Sequence, residues 1–69
     1  MQKIFIVITV ASEIGGTSVL VKAEKAFKSV SEAEAHVKKE NKSWREVIQI
    51  NNSSIDCFCE RGIQEVDLI

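Results

Sequence analysis

The sequence predicts a two-layer α+β domain: a sheet of four to five strands, antiparallel or mixed, with one helix packed on one face in the order ββαββ. Three observations lead there. Residues 2–11 form a β-branched run apolar on both strand faces, and residues 18–28 alternate with a period of two, both signatures of strands. Residues 31–40 change to helical spacing behind a capping signature. Residues 44–50 and 55–60 return to β-branched, alternating segments on either side of a turn cluster.

The first strand, about Gln2 to Ala11, is apolar on both faces. Ile4, Ile6, Ile8 and Val10 share one side, and Phe5 and Val7 the other. A strand of this kind expects cover above and below. Gly15-Gly16 supplies the positive φ of a hairpin turn. It lacks the Gly-Lys-Ser/Thr ending of a phosphate loop and joins two strands. The second strand, about Ser18 to Lys28, sets Val19, Val21, Ala23 and Phe27 on one face, with Leu20, Lys22, Glu24, Ala26 and Lys28 on the other.

Ser31-Glu32-Ala33-Glu34 reads as a capping box, with the Ser31 hydroxyl and the Glu34 carboxylate serving each other's amides. Glu32 and Glu34 suit the positive helix end, and Lys38 and Lys39 the negative one. Asn41 is the expected stop. The apolar stripe is thin, so this helix needs the sheet for stability. Ser43-Trp44-Arg45-Glu46 reads either as a second cap or as the start of a third strand, Trp44 to Ile50, and the parity of Trp44, Ile48 and Ile50 favours the strand. Asn51-Asn52-Ser53-Ser54 is a turn. Ile55 to Glu60 is the fourth strand, ended by Gly62; residues 63–69 form a fifth strand or an extended tail. If the second and third strands were parallel, the path between them through the helix should be right-handed. The core expected from these faces is Ile4, Ile6, Ile8, Val19, Val21, Phe27, Val37, Trp44, Ile48 and Ile50.

The chain has 69 residues, 45% hydrophobic and 28% charged, the composition of a single globular domain. A chain this short buries only roughly 60% of its unfolded surface, so help from oligomerisation is expected. The net charge of −1 conceals a gradient. Residues 22–45 carry seven Lys/Arg against four Glu, and residues 46–69 one Arg against five Asp/Glu. Neither block reads as a nucleic-acid arm or an acidic tail. The apolar start is short, holds Thr9 and is β-branched, which favours a strand over a secretory leader. No stretch approaches the ~20 apolar residues of a membrane span. A cytoplasmic protein with no membrane partner is expected.

Cys57-Phe58-Cys59 and His36 are the soft ligand set, one short of a four-ligand zinc site within one chain. Buried thiols are the expectation; a metal or redox protein is the weaker alternative. His36, with Glu32 and Glu40 each four residues away, lacks an evident nucleophile to serve. No catalytic residue, metal or cofactor is expected, and the chain reads as non-enzymatic.

If the even residues of the first strand face the helix, the opposite face collects Phe5, Val7, Leu20, Lys22, Arg45, Val47 and Phe58. An apolar centre with a mixed charged rim is how a protein interface looks. The expectation is therefore a small protein-binding domain, self-associating as a homodimer, with a role in regulation, inhibition or adaptor work. Aromatics on a sheet near Lys and Arg also suit single-stranded nucleic acid. That is the alternative, weakened by the interleaved acids.

Overall fold

The computed structural model describes residues 2–68. Its elements are β1 (Gln2–Glu13), β2 (Val19–Phe27), α1 (Val30–Glu40), β3 (Ser43–Ile50) and β4 (Ser53–Leu68). The four strands form one antiparallel sheet in the order β2-β1-β4-β3. It is an α+β fold. β2 and β3 are the outer strands and run in opposite senses, so no parallel crossover arises. Residues 63–68 are not a fifth strand: Gly62 pairs with Ile8 without interrupting β4, whose pairing with β1 runs from Leu68 to Cys57.

Local chemistry fixes the connections. After β1, Gly15 sits at φ +76 in a turn closed by the Gly16 amide donating to the Glu13 carbonyl at 3.3 Å. Asn51 and Asn52 are at φ 47 and 67 between Ile50 and Ser53, the paired left-handed residues of a two-residue hairpin turn. The helix is capped two residues earlier than the Ser31 reading. Ser29 is the N-cap, its hydroxyl accepting from the Glu32 amide at 3.3 Å. The Ser29–Glu32 spacing is itself that of a capping box, and Glu32 also accepts from the Ser29 hydroxyl at 3.1 Å. Asn41 ends the helix at φ 77.

The helix lies on the face of β1 opposite to the expected one. Val7, Ala33 and Val37 form one buried cluster, with Phe5, Phe27 and Ile63 packed against it. Phe5 and Val7 therefore line the core beneath α1, and Ile4, Ile6, Ile8 and Val10 turn to the helix-free side, half-buried. Two facts decide this. The register sets Phe5 opposite Phe27, and Val7 opposite Ile63, so the odd side offers a cup of large side chains. Ala33 and Val37 then let the helix seat closely in it.

A second correction comes from β2. Its pairing with β1 shifts between Val7 and Ile8, a bulge at Glu24. One extra residue inverts the alternation of side chains beyond it. Phe27 therefore faces the helix while Val19, Val21 and Ala23 face away, and Leu20 and Lys22 come to the helix side. Val19 and Val21 are 62% and 61% exposed and Ile50 37%, so these three are not core residues.

An 11-residue helix spans about 16 Å, well short of a molecule 43 Å long. Beyond its reach, Ala11, Cys57 and Cys59 form a second buried cluster with Trp44, Ile48 and Ile55 packed around it. The sheet curls to close this end. Leu20 of β2 and Ile48 and Ile50 of β3, from opposite edges, line one cavity of ≈ 50 Å³.

Candidate protein-binding face

The curl leaves the other face of the sheet convex and without a helix. The strand registers place Ile4, Ile6, Ile8 and Val10 of β1 down its middle. Val66 and Phe58 of β4 flank them on one side, and Val21 and Val19 of β2 on the other. Val47 of β3 extends the apolar surface toward that edge. Phe58, Val47, Val21 and Val19 are 46–62% exposed.

Of the seven residues that the sequence assigned to the helix-free face, Arg45, Val47 and Phe58 are there. Phe5, Val7, Leu20 and Lys22 are not: all four lie on the helix side, Val7 with no exposure at all. Arg45 is paired on the convex face, its Nη2 donating to Asp56 Oδ2 at 2.6 Å; the carboxylate raises the guanidinium pKa further by accepting this bond. Asp56 and Glu60 lie on the same face. Among the described residues paired in the sheet, the face thus offers one neutralised cation and two acids.

The helix side holds a polar cluster that sequence reasoning missed. Glu24, the bulge residue, accepts from Thr9 Oγ1 at 3.1 Å, from His36 Nε2 at 2.6 Å and from Arg61 Nε at 2.9 Å. His36 therefore pairs across to β2 rather than along its own helix with Glu32 or Glu40. Arg61 also donates to the carbonyls of Glu40 and Asn41, satisfying helix-end acceptors. Its guanidinium stacks on Trp44 at 4.2 Å. Burial by itself would raise the Glu24 pKa, but the hydrogen bonds from His36, Arg61 and Thr9 outweigh it and hold the carboxyl below its usual range.

Chemically this cluster is a clasp joining β1, β2, β4 and the end of α1. Its carboxylate is occupied by three donors, and the one hydroxyl bonded to it, on Thr9, is itself a donor. A bulge displaced a strand side chain, Glu24, to where a helix side chain could meet it; no spacing in the sequence encodes that meeting.

Cys57 and Cys59 are both buried on the helix side, unbonded to each other. Burial and then nearby carboxylates push both thiols up, Glu13, Asp56 and Glu46 for Cys57 and chiefly Glu46 for Cys59. Among the described residues no three His, Cys, Asp or Glu side chains gather as a metal site, and no helix is long and apolar enough to cross a membrane. The chain matches no family model, no curated protein and no solved structure.

Proposed function

We propose that this chain is a non-enzymatic protein-binding module that self-associates through its helix-free sheet face. The observation that carries this reading is the convex stripe built on Ile4, Ile6, Ile8 and Val10 and continued by exposed Val19, Val21 and Phe58. Among the described residues the buried ones are Val7, Ala11, Ala33, Val37, Cys57 and Cys59, all small, so the interior alone is thin. A stripe this rich in β-branched side chains is more apolar than a solvated sheet face needs to be. A second copy supplies a surface of the same kind and removes both from water. A cytoplasmic location accords with two free thiols.

The test is the mass in solution. At micromolar concentration, light scattering should give twice the 7.7 kDa of the chain. Val21→Lys and Phe58→Lys, each at an exposed position, should shift that mass to monomer while the circular dichroism spectrum stays unchanged. A monomeric parent would sink self-association. The nucleic-acid alternative forecasts instead a monomer whose affinity for single-stranded oligonucleotides falls steeply with salt. It has less to stand on, since Lys22 lies on the helix side and Arg45 is paired with Asp56.

A further inference from the structure

We infer that the second half of β4 is a docking edge for an extended, basic-apolar peptide strand, added beside Ile63, Glu65 and Asp67 with its apolar residue at the groove under α1. The inference rests on strand coverage and hydrogen-bond parity, independently of the convex face.

β4 is twice as long as β3, 16 residues against 8. Pairing between them ends at Ser43 opposite Glu60, and the last main-chain bond on that side is the Arg61 amide donating to the Lys42 carbonyl at 2.7 Å. From residue 62 to 68, β4 has β1 on one side and no strand on the other.

Alternate residues of an antiparallel strand turn both main-chain groups to the same neighbour. Two bonds fix which residues do so here. Ile14 of the β1 side donates to the Asp56 carbonyl at 2.9 Å, so even residues of β4 face β1. Arg61 donates toward β3, so odd residues face away from β1. Ile63, Glu65 and Asp67 thus hold their amides and carbonyls out along the open edge, where an added strand would take them up, displacing the long 3.4 Å bond that the Glu65 carbonyl accepts from Gln64 Nε2.

The edge is not flat surface. A groove of ≈ 490 Å³ opens at its Ile63 end, with Val37, Gly62 and Ile63 as apolar lining and Glu34, Lys38, Lys42, Glu60 and Arg61 around them; Glu65 and Asp67 lie beyond it. Residues of an added strand that share the helix side fall opposite Ile63, Glu65 and Asp67. The first meets Ile63 and Val37, which calls for an apolar side chain. The other two meet carboxylates. Among the described residues Lys3 serves both, at 3.2 Å from Glu65 and 3.9 Å from Asp67, one cation for two acids. Both carboxylates remain more than half exposed. An incoming Lys or Arg completes the charge balance. A second copy paired antiparallel about Glu65 or Val66 would set acid against acid, which disfavours those registers.

The probe is the heptapeptide acetyl-Thr-Lys-Thr-Lys-Thr-Val-Thr-amide, which in antiparallel register sets its valine opposite Ile63 and its lysines opposite Glu65 and Asp67. Titrated into the full chain and followed by amide NMR and hydrogen exchange, it should slow exchange at Ile63, Glu65 and Asp67 and leave Gln64 and Val66, already in the β1 ladder, unchanged. Asp67→Pro removes one outward amide and the carboxylate that faces a peptide lysine without touching the β1 ladder, a change edge strands tolerate, and should weaken binding at least tenfold. The double change Glu65→Lys with Asp67→Lys should reverse the preference toward the same peptide with glutamates for lysines. The proposal is overturned if the folded Asp67→Pro chain binds as tightly as the parent. It is also overturned if the double change leaves the preference unaltered, or if peptide shifts map to β2 or the convex face. Concentration-dependent protection of the same three amides without peptide would assign the edge to a second copy and overturn it as well.

Discussion

Val7 and Ile6 are neighbours in sequence and opposite in environment. Val7 is fully buried between α1, Phe5, Phe27 and Ile63, and Ile6 is half-buried on the convex face. Val7→Ala removes two carbons from a site with no room for water and should cost on the order of 2 kcal/mol. In a chain held monomeric by Val21→Lys, Ile6→Ala should cost less than Val7→Ala, as read from urea midpoints. The reverse order would mean that the helix sits on the other face. Glu24 gives a pH signature. Its pKa in the folded chain is below the ordinary 4.5, so its contribution to stability is full above that value and disappears as pH falls through the folded pKa. Glu24→Gln should therefore be less stable than the parent at pH 6, and the two melting temperatures should converge in acid. A constant gap across the range would detach Glu24 from the clasp. The thiols carry a third expectation. With both pKa values raised by burial and by carboxylates, iodoacetamide at pH 8 should alkylate Cys57 and Cys59 slowly in the native chain and rapidly in urea.

At the level of elements, two joints hold the layers in place. Arg61 reaches from β4 to the last carbonyls of α1 while gripping Glu24 and stacking on Trp44. Arg61→Ala should cost about 1–3 kcal/mol, since it strips one of three donors from a partly buried carboxylate and removes the side-chain donor of the helix-end carbonyls. It should also speed amide exchange near the end of α1, and Trp44 fluorescence should report the loss of the stacked guanidinium. The other joint is the β3–β4 turn. Asn51 and Asn52 both occupy positive φ, and glycine carries no strain there in the second position. Asn52→Gly should raise stability by a few tenths to about 1 kcal/mol; a lower urea midpoint would mean that the Asn52 side chain has a role of its own.

For the whole molecule, the governing fact is a mismatch of sizes. The helix covers one end of the concave side, the curl of the sheet covers the other, and none of the described elements lies on the convex side. Burying a few hundred Å² of that apolar face per chain is worth several kcal/mol at ~25 cal/mol per Å², before association costs. Under the proposed self-association, the folded state should gain stability with protein concentration. A melting temperature independent of concentration from about 1 to 100 µM would argue against the dimer.

By itself the sequence determined the α+β class, the period-two strands, the position of the helix to within a residue or two and its stop at Asn41. Each of these follows from local chemistry: alternation, capping groups, and residues that accept positive φ. Parity also showed correctly that β1 has two apolar sides. Which side the helix takes was decided only in three dimensions. It depends on Phe27 and Ile63 arriving beside Phe5 and Val7, contacts set by register across distant strands. The bulge at Glu24 has the same standing. One unpaired residue reversed the faces of half of β2, carrying Leu20 and Lys22 off the convex side and Val19 and Val21 onto it. It also brought Glu24 to Thr9, His36 and Arg61. The continuation of β4 past Gly62 was likewise settled by pairing, because β1 is long enough to hydrogen-bond it to the end. Local sequence fixes what each segment is; the partners that fix register and face lie tens of residues away.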